Sequence, residues 1–371
     1  MRFHGLRRIT LTKLVSLSKR CSSSGENSAI LAEFKSCGII TLNRPKLHNS
    51  LDLHMIRQIY PQLKEWNENP AVRISHIIIE GAGNRSFCAG GDVRAVVEAA
   101  QIGDKTSELF FREEYRLNYL IGILQKPYIA LLDGITMGGG VGLSVHGRFR
   151  VVTEKTLFAM PETAIGLFPD VGGGFFLPRL PCPGLGPFLA LTGHRLQGLE
   201  VLWAGVATHY KPTAEVNLVG FLLVFICPKP RSTIRIFHKA KHSFQCSMLM
   251  QNRSPLPALM IPIIAFVLSG LYMNVSVSNI PIYIQVTLRQ LQLGSALSFV
   301  DNFKMEFRLS QRFVRGHDFP EGVRAVLVDK DKKPKWIPNS LDQVTLDTVD
   351  RYFEPLTDIP EWDDLKWITV L

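Results

Sequence analysis

The chain has 371 residues, 46% of them hydrophobic and 20% charged, with 42 Lys and Arg against 32 Asp and Glu. That is ample for a large core and excludes a disordered tail or a disulfide mini-protein. The surplus base sits in residues 1–25, where Arg2, Arg7, Arg8, Lys13, Lys19 and Arg20 face no acid, and in residues 212–300, where Glu215 is the sole carboxylate. A nucleic-acid surface would need its basic residues built into the folded domain with aromatics between them, so no nucleic-acid partner is expected. Six scattered cysteines make no C-x-x-C pair, and neither a zinc site nor a disulfide framework is expected.

Residues 1–27 are rich in Arg, Lys, Ser and Leu, have no acid before Glu26 and lack the unbroken apolar stretch of a secretory signal; they resemble a mitochondrial targeting segment. From Ala29 the pattern becomes regular. Ala29–Phe34 and Ile39–Leu42 read as a strand pair turning through Lys35, Ser36, Cys37 and Gly38. Asn49 and Ser50 are expected to cap a helix beginning near Leu51, with Met55, Ile56, Ile59, Leu63 and Trp66 at helical spacing and Pro61 inside it. Next come a buried strand over Ile74–Glu80, a Gly-rich turn over Phe87–Asp92, a helix from about Ser107 to Leu124, a strand over Tyr128–Leu132 and a second Gly-rich turn at Gly138, Gly139 and Gly140. Strands alternating with helices predict a layered α/β fold.

The two Gly-rich turns each lie between a strand and a helix. Glycine lets a main chain approach a ligand closely, and the first amides of a helix have no internal acceptor. Brought together, two such turns would donate two N–H groups to one developing oxyanion; taken singly, each could equally be close helix–strand packing. Neither turn spells a dinucleotide or phosphate-loop motif, and there is no G-x-S-x-G elbow. Ser144 and His146 are two apart on a helix and make a poor nucleophile–base pair, so a packed or capped histidine is expected. In Met160–Gly174 two carboxylates, Glu162 and Asp170, sit among apolar and Gly residues, where desolvation suits a carboxyl for acid–base work. Glu162 capping a helix and Asp170 binding the amides of Gly172 and Gly173 explain the same residues equally well.

At these motifs the chain resembles the crotonase superfamily. The resemblance rests on Ile40–Pro45, Ser86–Asp92, Phe110–Tyr115, Gly134–Gly147 and Phe158–Gly174, resumes at Val286–Leu291 and runs through Arg315–Trp336. It implies a spiral of ββα units over residues 28–210, and a C-terminal helical region, 286–371, that completes an acyl-CoA site. The implied activity is hydrolysis of the thioester of a small hydroxyacyl-CoA in valine breakdown, in the mitochondrial matrix, by a homo-oligomer. No metal and no cofactor are implied, CoA being part of the substrate. Carried over residue by residue, the oxyanion donors are the amides of Gly91 and Gly139, Glu162 and Asp170 are catalytic, and Glu114, Gly139, Glu162 and Asp170 contact the substrate. On residue pattern alone Glu114 reads as a solvated helix-face acid beside Arg112 and Glu113. Hydratases of the superfamily carry a first catalytic glutamate three residues after the second oxyanion glycine; here that position is Gly142, which leaves hydration of an enoyl-CoA as the runner-up.

Residues 211–285 do not resemble the superfamily. Leu256–Asn274 is apolar and uncharged, but Pro257 and Pro262 interrupt it, and a membrane span is not expected. The segment reads as translated non-coding sequence or an alternative splice product, and the other reading of the whole chain is an inactive variant that keeps only acyl-CoA binding.

Overall fold

The computed structural model describes residues 27–216, 282–338 and 344–362. Residues 1–26 of the targeting segment, Leu256–Asn274 and most of 211–285 therefore lie outside the described residues. Strand β1 (Ala29–Phe34) pairs antiparallel with β2 (Cys37–Leu42). The turn is tighter than the four-residue one predicted: Cys37 already faces Phe34 and Gly38 faces Glu33, because Lys35 takes a positive φ of 55° and turns the chain at once.

Helix α1 (Leu53–Glu68) buries Met55, Ile56, Ile59, Leu63 and Trp66, the predicted stripe, and leaves Pro61 on its outer face. Its cap is Asp52, whose Oδ1 accepts the Met55 amide at 2.7 Å, and not Asn49 or Ser50. Asn49 is unavailable because its side chain donates to the carbonyls of Ala82 and Ser86, at 2.9 and 3.0 Å. Leu51 is held in a parallel bridge to Gly91.

Three units then repeat one plan, a strand in one sheet followed by a strand in the other. They are β3 (His76–Gly81) with β4 (Ser86–Cys88), β5 (Tyr128–Leu132) with β6 (Ile135–Met137), and β7 (Phe149–Val152) with β8 (Leu157–Ala159). The first unit is followed by helices α2 (Val93–Gln101) and α3 (Thr106–Ile123), the second by α4 (Gly139–Gly142), and the third by a 3-10 turn (Glu162–Ile165) and α5 (Gly173–Phe176). Strands β9 (Leu196–Gln197) and β10 (His209–Tyr210) complete the sheets, ordered β1-β2-β3-β5-β7-β10 and β4-β6-β8-β9. This is the predicted spiral of ββα units. The chain returns in α6 (Ile282–Gly294), α7 (Phe299–Arg315) and α8 (Asp318–Val323), which pack Val286, Leu291, Phe303, Phe307 and Phe319 into the core shared with the sheets. Among the described residues no helix is long and apolar enough to cross a membrane.

Candidate active site

Three parallel neighbours, β4, β6 and β8, end side by side, with Cys88 opposite Thr136 and Met137 opposite Ala159. The turns leaving these strands are therefore delivered to one place: Gly90 and Gly91 after β4, Gly138 and Gly139 after β6, Glu162 after β8. The bridge to Leu51 uses the carbonyl of Gly90 and the amide of Asp92, at 2.9 and 2.8 Å. Alternation along an extended chain then turns the Gly91 amide to the opposite side, toward β6. Gly138 and Gly90, with φ of 44° and 113°, make turns that a side chain would strain. Gly139 opens α4, where its amide has no intrahelical acceptor. The two turns do converge: a Cβ built on Gly139 would stand 3.1 Å from the Gly91 nitrogen.

The carboxyls close on this pair of amides from two sides. The same Cβ position on Gly139 lies 2.6 Å from Glu114 Oε1, and a Cβ on Gly138 would lie 2.9 Å from Glu162 Oε1. Glu114 reaches the site from α3, and its exposure of 2% corrects the solvated-face reading drawn from residue pattern. Within α3 the apolar positions surround it on several sides, so the face it occupies turns to the core and not to water. Glu162 opens the 3-10 turn and does not cap a longer helix. Asp170 is buried too; its carboxylate accepts the Tyr115 hydroxyl at 2.9 Å and takes neither Gly172 nor Gly173, whose amide goes to the Asp170 main-chain carbonyl. One oxygen each of Glu114 and Glu162 is buried with no hydrogen-bond partner.

Three carboxyls packed this way oppose one another's ionisation. Burial, then the charges of Asp170 and Glu162, push Glu114 well above the usual carboxylate range. Burial and then Asp170 do the same to Glu162. Asp170 is pushed up to about 7 by burial, against the Tyr115 hydroxyl that favours its charged form. Such a cluster holds its protons more tightly than ordinary carboxyls do and is suited to giving and taking them.

Residue pattern missed several supporting groups. Asn118, one helical turn beyond Glu114, is fully buried, and its amide would meet a Cβ on Gly142 at 2.8 Å, with the Val171 Cβ at 2.7 Å. Glu306 on α7 accepts the amides of Gly172 and Gly174 at 2.7 and 2.9 Å. The helical spacing of Glu114, Asn118 and Tyr115 could have flagged one face of α3; nothing local marks Glu306. His146 is packed as expected: its ring lies against Phe299 and Phe303, and Nε2 donates to the Val171 carbonyl at 2.7 Å. Burial pulls it down to about 4, so it stays neutral. Ser144 bonds the carbonyls of Gly140 and Val141, away from His146. The C-terminal stretch clasps α3 from outside: Arg112 donates to the carbonyls of Pro360 and Glu361, and buried Trp362 donates to the carbonyl of Arg112.

The profile of the enoyl-CoA hydratase/isomerase family matches residues 37–248 and 274–353, so it runs into both ends of 211–285, the segment expected not to resemble the family. The chain is similar to mitochondrial 3-hydroxyisobutyryl-CoA hydrolases, at 48% identity to that of Xenopus laevis over 89% of this chain and 90% of that one. To that of Homo sapiens it is 47% identical, over 96% and 95% of the two chains. Among solved structures it resembles a carnitinyl-CoA dehydratase from Mycobacterium thermoresistibile, with a TM-score of 0.72 and 33% identity over 91% of this chain and 99% of that one. An enoyl-CoA hydratase from Rhodobacter sphaeroides gives a TM-score of 0.70 and 30% identity, over 89% and 98%.

Proposed function

The chain belongs to the enoyl-CoA hydratase/isomerase family, and we propose that within it this protein hydrolyses the thioester of 3-hydroxyisobutyryl-CoA to the free acid and CoA, in the mitochondrial matrix. The observation that carries the reaction type is the pairing of Glu162 with two converging amides while position 142 has neither a carboxyl nor room for one. Hydration across a double bond calls for the acid that hydratases place there, and Asn118 and Val171 fill that space.

In this reading the thioester oxygen sits between the amides of Gly91 and Gly139. Their donors gain most when the oxygen becomes an oxyanion, an effect worth about 2.7–4 kcal/mol per donor. Glu162 acts on the carbonyl carbon, either as the nucleophile that forms a transient anhydride, which water then cleaves to the free acid and the regenerated carboxylate, or by deprotonating the attacking water; both routes need the carboxylate beside the same amides. The C–S bond breaks and the electron pair leaves on CoA sulfur. A thiol of pKa near 8.5 needs little acid assistance. Asp170, held by Tyr115, orients Glu162 and exchanges its proton. Glu114, with a buried oxygen lacking any partner, takes the substrate hydroxyl, so an analogue without that hydroxyl leaves the acid unpaired and is disfavoured.

The test compares CoA release from 3-hydroxyisobutyryl-CoA with hydration of an enoyl-CoA of the same carbon skeleton, in the wild type and Glu162→Gln. Release should dominate in the wild type and vanish in the variant. Hydration faster than release would overturn the assignment in favour of a hydratase, and neither activity would favour a protein that only binds acyl-CoA.

A further inference from the structure

Asp170 lies on a turn whose own sequence, Val171-Gly172-Gly173-Gly174, provides little to hold it. Val171, a β-branched residue, sits at φ 50°, a conformation that survives only where its surroundings enforce it. Two groups do so. His146 holds the Val171 carbonyl, and Glu306 takes the amides of Gly172 and Gly174.

Glu306 is fully buried and far away in the chain. Its Oε2 accepts Gly172; its Oε1 accepts Gly174, the Asn302 side-chain amide at 2.9 Å and the Gln290 side-chain amide at 3.1 Å. Four N–H donors converge on one carboxylate, and Gln290 in turn donates to the Pro169 carbonyl at 2.8 Å, just before Asp170. Contacts thus bracket Asp170 on both sides, all of those from Glu306 and Gln290 routed through α6 and α7. A carboxylate this deep is expensive to bury, and a core position would be filled more cheaply by an apolar side chain unless the bonds themselves are needed.

We propose that Glu306 is a positioning residue of the reaction: by clamping the amides of Gly172 and Gly174 it sets where the Asp170 carboxylate stands against Tyr115 and Glu162. The proposal rests on the hydrolase reading and adds to it a residue that touches no substrate. Misplacement of a catalytic group by about 1 Å can cost on the order of 100-fold in rate, so Glu306→Gln, which offers one acceptor oxygen where two are used, should lower kcat by about 10- to 100-fold with little change in KM.

The decisive measurement is a double-mutant cycle in the full-length protein, using single-turnover CoA release for the wild type, Glu306→Gln, Asp170→Asn and the double variant, with hydrogen exchange of peptides covering residues 168–176. Glu306 acting through Asp170 predicts that the double variant is no slower than Asp170→Asn alone, and that the turn exchanges faster in Glu306→Gln. Losses that multiply, or a turn that exchanges as in the wild type, would overturn it. If Glu306→Gln does not fold, Asn302→Ala, which removes one donor from the clamp, takes its place in the same cycle with the same two outcomes. A wild type that releases no CoA would count against the hydrolase reading, whereas the exchange result bears on the clamp by itself.

Discussion

Replacing Asp170 by Asn should make the protein more stable at pH 8 while slowing CoA release. Burial at 5% exposure raises this carboxyl from 3.8 to about 7 in the folded chain. The unfolded chain therefore releases the proton first. As pH rises from the unfolded value to the folded one, the native state loses stability at up to ~1.36 kcal/mol per unit; above the folded value the loss is complete. An interval from 3.8 to about 7 puts the penalty at roughly 4 kcal/mol by pH 8. Asn keeps an oxygen for the Tyr115 hydroxyl but brings N–H donors, and leaving them unpaired costs about 1–3 kcal/mol. The variant should therefore gain about 1–3 kcal/mol at pH 8, and the gain should shrink steadily toward pH 5, where most of the wild-type penalty is gone. Urea unfolding followed by tryptophan fluorescence at pH 5, 6, 7 and 8 measures the difference directly. A difference that stays flat with pH, or one in which the variant weakens as pH rises, would refute a proton held on Asp170.

Tyr115→Phe removes the hydroxyl that favours the charged form of Asp170. The acid limb of the pH–rate profile for CoA release should then move to higher pH by about one unit, the equivalent of a ~1.5 kcal/mol charge-assisted bond; an unmoved limb would show that Asp170 does not govern it. Gly139→Ala places a methyl 2.6 Å from Glu114 Oε1 and 3.1 Å from the Gly91 nitrogen, in the space assigned to the acyl oxygen. Its kcat should fall by about 10²–10³, as when an oxyanion donor is lost. Activity within a few-fold of wild type would mean that the oxygen binds elsewhere.

The parts of this site that sequence reveals are those whose chemistry is local. Gly90-Gly91 and Gly138-Gly139-Gly140 announce themselves because a turn between a strand and a helix calls for glycine, and the parallel pairing of β4 with β6 brings them into register. Glu162 stands at the corresponding place one strand further along the sheet, but its residue pattern left a helix cap equally open. Glu114 was legible only through family resemblance: Arg112 and Glu113 beside it look like a wet helix face, and what buries that face arrives from afar. Arg112 itself is turned inward to the Pro360 and Glu361 carbonyls, so a charged neighbour marks a docking point and not solvent. The cap at Asp52 was missed for a similar reason, since Asn49 has the right chemistry for capping but is claimed by the strand end at Ser86 that positions Gly91.

Glu306 is the furthest case. Its partners Gly172 and Gly174 are separated from it by 134 and 132 residues, and an acid in an amphipathic helix carries no local sign that its donors are main-chain amides across the core. Glu162 and the two amides follow strand ends, where local geometry speaks; Glu306, which holds the Asp170 turn, comes from a helix across the core, where only tertiary structure does. Substitutions in α6 and α7 should therefore disturb the reaction through the Asp170 turn before they disturb the converging amides, which follow the ends of β4 and β6. The cycle on Asp170 and Glu306 separates these two levels: a change in α7 that slows turnover equally with and without Asp170 would mean that the C-terminal helices support the fold as a whole and have no particular hold on the site.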